Sequence, residues 1–440
     1  MIMLPRDDLK NTSPYRICVP VDRGERGPCV SEANAARKII QVDKPISGPS
    51  EPRQKTICAK QLADYPQVSA AHRELAGKLS SPLLVGPPIC DELIALVEHT
   101  FTEQEAEVAV GLSGTRSLPA AAVARRVRRR VEDVEPILES LAFGKRAIGG
   151  VEHPGKHRYR LLPVMPGMFE MVLIGESPDK LSDWHRRFAA LVEALFEAGY
   201  TVEYQRRRAP AVRFLPVGQI ADQHPMALPA DRLEVVLDRY DLFGVGRCQC
   251  RMSASPSGVG CGRPLEVCTV MGEWAQRGIQ AGWLRSVSRQ AVLEIKREAE
   301  SHGLVTWLMN VESTQGQASC SCCGCCCKAM RMVNEFHAPG IMAPPHFMPQ
   351  FDLAACTDCG RCAAACPMGA ISVEPQVRQL QHLPARCIGC GLCQLACDRR
   401  HAIAMQPVPE YRLPYRSWFS MLLRNAPSLL WTAAQVWRRR

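Results

Sequence analysis

Two runs of four cysteines limit the folds open to this chain more than any other feature. Both runs have the spacing C-x2-C-x2-C-x3-C, and they consist of Cys356, Cys359, Cys362 and Cys366, and of Cys387, Cys390, Cys393 and Cys397. This spacing lets a short backbone surround an iron–sulfur cubane, so its duplication predicts two [4Fe-4S] clusters in one small module. Gly360 and Gly391 lie between the second and third cysteines, where the chain must turn tightly.

The spacing also predicts which cysteines share a cluster. The first three of a run come from one tight loop, whereas the fourth begins a segment that leads away and therefore binds the other cluster. The predicted ligand sets are Cys356, Cys359, Cys362 and Cys397 for the first cluster, and Cys387, Cys390, Cys393 and Cys366 for the second. Two structural zinc sites are the alternative, but zinc does not account for the regular third and fourth cysteines. Disulfides are disfavoured because nothing in the sequence indicates secretion.

Residues 349–407, which contain both runs, resemble bacterial two-cluster ferredoxins. The resemblance implies a small ferredoxin-like domain that transfers electrons. One departure is Asp398, which stands where proline usually follows the second run. This change removes a rigid turn but no ligand, so cluster binding is still expected.

The composition fits a multidomain protein of a reducing compartment. At 440 residues, of which 46% are hydrophobic, the chain is long enough for about two to four domains. It begins without the apolar region of a signal peptide, and no apolar stretch reaches the length of a membrane span. We therefore expect a cytoplasmic protein. The net charge of +10 is weak evidence for nucleic acid, because each loaded cubane contributes about −2.

The predicted fold class is α+β with several domains. An N-terminal region, partly irregular, covers residues 1–100. A winged-helix-like domain follows over residues 101–163, because three helical patterns precede a hairpin around His153 and Lys156. A basic run precedes its third helix and consists of Arg125, Arg126, Arg128, Arg129 and Arg130. That helix is itself acidic and would be repelled by phosphates, so protein packing is favoured over DNA binding.

Residues 164–348 are predicted to form a central α/β cysteine-rich domain. Predicted strands lie at 169–174, 212–217 and 304–309, and predicted helices at 181–198 and 289–302. None of the common nucleotide, flavin or hydrolase motifs occurs here or elsewhere in the chain. The protein is therefore expected to be an electron-transfer component of an oxidoreductase system rather than an enzyme by itself.

This central domain contains two further groups of cysteines. The first group is Cys248, Cys250, Cys261 and Cys268, which either converge on a metal or are isolated buried thiols, with Cys268 predicted in a helix starting near Pro264. The second group is Cys320, Cys322, Cys323, Cys325, Cys326 and Cys327. Adjacent cysteines strain a disulfide, so these six are interpreted as ligands of an additional iron–sulfur cluster or, second, of zinc. The two groups can also complete one site together, and the number of centres stays open.

With these motifs in view, most of residues 101–400 resembles a little-characterised group of prokaryotic proteins. Its members join a winged-helix-like region, a G-x-C-x-C-R…C…P-L-E-x-C segment, a C-N-C-C-x-C-C-C run and a two-cluster ferredoxin domain. This chain departs from that pattern with Ser321 in place of asparagine and Lys328 in place of glycine. The resemblance implies iron–sulfur electron transfer between redox partner proteins, and it supplies no substrate.

The last segment, residues 408–440, is a basic aromatic tail with a helix break predicted at Pro427. Its aromatic residues and arginines suit docking onto a protein surface or, alternatively, a peripheral contact with a membrane. Two other functions remain as alternatives for the whole chain. One is a redox-sensing winged-helix regulator that binds DNA, and the other is an oxidoreductase subunit with its active centre at Cys320–Cys327.

Overall fold

The computed structural model describes residues 40–41, 52–153, 156–204, 210–254, 261–374 and 379–438. The irregular structure predicted for residues 1–39 and 42–51 lies outside these ranges, as do the Pro154–Gly155 turn and the last two arginines. Mixed helix and sheet is observed, as the sequence predicts.

The first part of the described chain is mainly helical. Two helices lie within the region predicted to be partly irregular; Ser69 caps the first, and Asp91 and Glu92 occupy the first turn of the second. The elements are β1 Ile40–Gln41, α1 Ala70–Leu79, α2 Asp91–Thr100, α3 Glu103–Ala109, β2 Leu118–Pro119, α4 Ala120–Val127, α5 Val131–Glu139, β3 Gly149–His153, β4 Lys156–Arg160, α6 Phe169–Ile174 and α7 Asp183–Glu197.

Three of these helices, α3 to α5, precede the β3–β4 hairpin at the predicted positions. The short strand β2 adds to the hairpin and gives the antiparallel order β2-β4-β3. Two arginines of the basic run are paired, Arg129 with Glu107 and Arg130 with Asp133. The winged-helix assignment of this unit stays a prediction.

The strand predicted at Phe169–Ile174 is wrong, because these residues form α6. Phe169, Val172 and Leu173 are buried at helical spacing within the N-terminal hydrophobic core. A short apolar run does not by itself distinguish a strand from a buried helix.

The central region is built on one six-stranded sheet. The strand order is β5-β9-β10-β7-β6-β8, and every pairing is antiparallel, so the region is α+β rather than a parallel α/β unit. The elements are β5 Val212–Phe214, α8 Gly218–Gln223, α9 Leu233–Leu237, β6 Phe243–Gly246, α10 Gln249–Ala254, β7 Cys268–Gly272, α11 Glu273–Gln280, β8 Arg285–Val287, α12 Arg289–Ser301, β9 Val305–Met309, β10 Gly316–Cys322 and α13 Lys328–Phe336. Cys268 therefore begins a strand, and the helix predicted to contain it is not formed.

The C-terminal region consists of a small two-sheet unit and a long helix. Strands β11 and β14 pair antiparallel and bracket both cysteine runs, with Phe347 opposite Pro407. The elements are β11 Phe347–Phe351, α14 Arg361–Ala365, β12 Ile371–Glu374, β13 Gln379–His382, α15 Leu392–Ala396, β14 Ile403–Pro407 and α16 Trp418–Arg438. Helix α16 continues through Pro427, so the predicted break is wrong. Within the described ranges, no helix is both long enough and apolar enough to span a bilayer.

One hydrophobic core joins the central sheet to the ferredoxin region. It combines Val305, Cys322, Cys327, Met330 and Val333 with Cys362, Met368, Ile388, Cys390 and Cys393. Helix α13, which starts directly after the cysteine run, is attached on its other side to α7. There, buried Glu193 forms ion pairs with Lys328 and Arg331. Lys328 thus has a buried partner.

Candidate metal centres

Two cavities in the ferredoxin region are each lined by four cysteines. The outer cavity has an empty volume of about 430 Å³ and is lined by Cys356, Cys359, Cys362 and Cys397. The inner cavity has an empty volume of about 320 Å³ and is lined by Cys366, Cys387, Cys390 and Cys393. Each cavity therefore combines three cysteines of one run with the last cysteine of the other, and their assignment as cluster ligands stays a prediction.

The two cysteine loops have the same backbone conformation. Asp358 and Gly389 occupy equivalent positions with φ of 52° and 65°, and Gly360 and Gly391 follow with φ of 71° and 79°. These left-handed residues turn the chain between the ligands. At Gly389 a side chain is also excluded by space, since a Cβ would lie 2.4 Å from the carbonyl oxygen of Phe347.

Backbone amides point at cysteine sulfur atoms in both loops. The amides of Asp358 and Gly389 lie 3.5 and 3.4 Å from the Sγ atoms of Cys356 and Cys387. The amide of Ala370 lies 3.2 Å from the Sγ of Cys366. Such N–H···S contacts stabilise thiolates and raise the reduction potential of a cluster bound to them.

The thiols fit metal binding better than a role as free thiolates. Burial raises the pKa of Cys362 to about 11 and that of Cys387 to about 12. These side chains are therefore neutral at pH 7 unless a cation displaces their protons. Four converging thiols in an apolar cavity match the ligand set of a [4Fe-4S] cluster.

The two cavities differ in exposure. Cys359, Arg361 and Arg400 are exposed around the outer cavity. Around the inner cavity, Cys390 and Cys393 are buried, and the backbone amide of Val217 donates a hydrogen bond of 2.9 Å to the carbonyl of Cys390. The outer cavity therefore faces solvent, while the inner cavity faces the central domain.

Asp398, the departure from the ferredoxin pattern, has a partner in the other run. Its carboxylate lies 2.9 Å from the Arg361 guanidinium. Both side chains are about half exposed, so the pair contributes little stability, about 0–1 kcal/mol. It nonetheless links the end of the second run to α14 without the usual proline.

A third site, here called the tetrathiol site, lies in the central domain. Its sulfur atoms belong to Cys261, Cys323, Cys325 and Cys326 and all lie within 4.8 Å of one another. The Sγ atoms of Cys261 and Cys323 are 3.9 Å apart, and those of Cys325 and Cys326 are 3.7 Å apart. Tetrahedral zinc with Zn–S bonds of about 2.3 Å places its sulfurs about 3.8 Å apart. The site therefore fits one metal ion, whereas a cubane holds its thiolates on separate corners.

Two arginines lie beside sulfur atoms of the tetrathiol site. Arg251 Nη1 lies 3.7 Å from the Sγ of Cys323, and Arg263 Nη1 lies 3.7 Å from that of Cys325. Hydrogen bonds from the neighbouring thiols and the charge of Arg251 hold the pKa of Cys323 well below its usual range. An anionic sulfur at this position is ready to bind a cation.

The structure therefore groups the central cysteines differently from the two groups defined by the sequence. The tetrathiol site takes Cys261 from the first predicted group and three cysteines from the second. The other six cysteines contact one another instead, and they are Cys248, Cys250, Cys268, Cys320, Cys322 and Cys327. Sequence reasoning also missed the functional interest of Arg251 and of Lys296, a buried lysine beside Cys268 and Cys320.

Comparison with known proteins identifies the ferredoxin region as an iron–sulfur domain. The family model of the 4Fe-4S dicluster domain matches residues 348–398, which include both cysteine runs. This part of the chain is thus a ferredoxin-like 4Fe-4S domain. Neither the curated proteins nor the solved structures contain a match to the chain.

Proposed function

We propose that this protein transfers single electrons between partner proteins through two [4Fe-4S] clusters. The observation that carries the proposal is the presence of two cavities, each lined by three cysteines of one run and one of the other. A bound [4Fe-4S] cluster supplies reversible one-electron chemistry. The cysteines hold it, and the amides at their sulfur atoms set how readily it accepts an electron.

The unequal exposure of the cysteines in the two cavities indicates where each redox partner exchanges electrons. Arg400 is exposed beside the outer cavity, so an acidic partner protein would be attracted there, whereas the charge of Arg361 is already paired with Asp398. Two cysteines of the inner cavity, Cys390 and Cys393, are buried, and Val217 of the central domain is hydrogen-bonded to the backbone of Cys390. Electrons are therefore exchanged with one partner at the outer cavity and with the central domain at the inner one.

A close backbone approach between the ferredoxin and central domains supports this role of the inner cavity. Gly324 lies in the middle of the central cysteine run, and a Cβ there would lie 1.8 Å from the Pro367 carbonyl oxygen. Pro367 directly follows Cys366 of the inner cavity. The same carbonyl accepts a hydrogen bond of 3.2 Å from Asn334 of α13. The two cysteine-rich segments are thus in backbone contact.

Iron and sulfide analysis of anaerobically purified protein, with electron paramagnetic resonance, tests the proposal. Reduced protein is expected to show two interacting [4Fe-4S] signals, and Cys58→Ser, at an exposed cysteine outside both runs, is expected to leave them unchanged. Freshly reconstituted protein without a reducible cubane signal would contradict the proposed function.

We further propose that the tetrathiol site holds one structural zinc ion. Four thiols leave no open coordination position, which distinguishes a structural from a catalytic zinc site. This closed set argues against a substrate-binding centre at these residues. Cys325→Ser is expected to lose about one zinc per chain while both cubane signals persist, and retention of zinc would show that the metal is held elsewhere.

A further inference from the structure

The six remaining central cysteines form a continuous chain of contacts. Neighbouring thiols interact in the order Cys248, Cys250, Cys327, Cys322, Cys320 and Cys268. Cys248 and Cys250 lie in one hydrophobic cluster, Cys320, Cys322 and Cys327 in a second, and Cys268 packs with Cys320 in a third. The two ends also approach each other, since Cys268 and Cys248 interact electrostatically. We call this arrangement the thiol ring. It is assembled by β10, which directs Cys320 and Cys322 to one face, together with β7 and the start of α10.

The thiol ring is too wide and has too many ligands for a single ion. In the described part of the chain, the tetrathiol site is the only set of three or more metal-binding side chains whose ligand atoms all lie within 4.8 Å of one another. A tetrahedral ion accepts four thiolates, whereas the ring offers six. Four of the six are buried, namely Cys248, Cys268, Cys322 and Cys327. Such a set matches a polynuclear centre.

A buried lysine lies beside the ring. Lys296 is 2% exposed, and its ammonium donates to the carbonyls of Val267 and Ser319 and to the hydroxyl of Ser321. All three acceptors are neutral, and in the described residues no carboxylate lies within 4.0 Å of this ammonium. A buried cation without an anion is costly. Cys268, Cys320 and Cys322 of the ring interact electrostatically with this ammonium, as does the more distant Glu300.

A buried arginine offers donors that the protein itself does not use. Arg251 is 2% exposed, and its Nη1 donates to the carbonyl of Ser321 at 3.1 Å. Its Nε and Nη2 atoms are buried and have no hydrogen-bond partner among the described residues. The guanidinium interacts with Cys248 and Cys322 of the ring. Inorganic sulfide within the ring would accept these donors.

We propose that the thiol ring binds a polynuclear iron–sulfur centre whose negative charge is balanced by Lys296 and Arg251. The centre is additional to the two ferredoxin clusters and to the ion of the tetrathiol site. Cys322 and Cys327 share the hydrophobic core that contains Cys390 and Cys393 of the inner cavity. The ring is therefore the central-domain acceptor or donor for that cavity. This last role rests on the proposed function, whereas the binding of iron does not.

Metal analysis of the anaerobically purified full-length protein tests the inference. Two cubanes account for about eight irons, so wild-type protein is expected to contain more than eight irons with matching sulfide, and about one zinc. Cys268→Ser, in the ring but not in the tetrathiol site, is expected to reduce iron to about eight. Both cubane signals and the zinc should persist, and Cys58→Ser serves as the matched control.

The outcomes separate this inference from the proposed function. About eight irons in wild-type protein, or about three zincs with no additional iron, would overturn the thiol-ring centre while leaving the ferredoxin clusters intact. If wild-type protein contained the additional iron but showed no cubane signals, the proposed function would be overturned and the thiol-ring centre would stand. Because Cys268→Ser can misfold, Arg251→Lys provides a second measurement. It is expected to shift the reduction potential of one signal only, and an unchanged potential for every signal would contradict the role of Arg251.

Discussion

Gly324→Ala tests the contact between the central cysteine run and the ferredoxin domain. The new Cβ would lie 1.8 Å from the Pro367 carbonyl oxygen and 2.9 Å from its carbon. Contacts of a Cβ below 3.0 Å are essentially never observed, so the backbones must separate by 1.2 Å, the difference between 3.0 and 1.8 Å. Because the two atoms closer than 3.0 Å belong to the backbone of Pro367, the strain falls on the loop that holds Cys366. Overpacking of this kind costs about 1–3 kcal/mol.

Thermal unfolding under anaerobic conditions measures this cost. Each kcal/mol corresponds to about 2–4 °C for a unit of 150–250 residues, so Gly324→Ala is expected to lower the midpoint by several degrees. The inner cluster should also be loaded less completely than the outer one. Gly144→Ala is the matched control, because its Cβ would meet nothing closer than the Ser140 hydroxyl at 3.8 Å. If the two variants unfold at the same temperature with equal cluster signals, the backbone contact is not as tight as argued.

Three further predictions concern ligand pairing, a buried ion pair and pH. Cys397→Ser is expected to remove the outer cluster and keep the inner one, as judged by iron content and electron paramagnetic resonance; loss of the inner cluster alone would contradict the cross-pairing. Glu193→Gln leaves Lys328 without its buried partner and weakens the pairing of Arg331, so it is expected to cost about 3–5 kcal/mol in chemical denaturation; a change below 1 kcal/mol would refute this. Burial lowers the pKa of His382 to about 4. As the pH falls, the unfolded state therefore binds a proton at this histidine before the folded state does. The free energy of unfolding is expected to decrease by up to about 3 kcal/mol between about pH 6.5 and pH 4. His382→Leu should flatten this dependence relative to wild type, and identical pH profiles would exclude the histidine as its source.

The ferredoxin site could be predicted from the sequence because its determinants are local. The spacing of each cysteine run already specifies the loop, and Gly360, Gly389 and Gly391 supply the left-handed turns that the loop needs. The cross-pairing of Cys366 and Cys397 follows from the same spacing.

The division of the central cysteines could not be predicted in this way. It depends on strand register: β10 pairs with β7 so that Ser319 lies opposite Thr269, which brings Cys268 beside Cys320. Spacing along the chain carries no information about such a pairing. The same limit explains the error at Phe169–Ile174, where burial on a helix and burial in a sheet give similar short apolar runs.

The unequal exposure of the cysteines that line the two ferredoxin cavities has a consequence for survival in air. Oxygen reaches the outer cavity past exposed Cys359, while the inner cavity lies behind Val217, Ile220 and the central sheet. Oxidation is therefore expected to proceed from the surface inward. A briefly aerated molecule would lose its connection to the external partner while its interior remained loaded and folded. Such damage would stop electron exchange with the external partner before the protein unfolded. Repair would require rebuilding only the outer cluster.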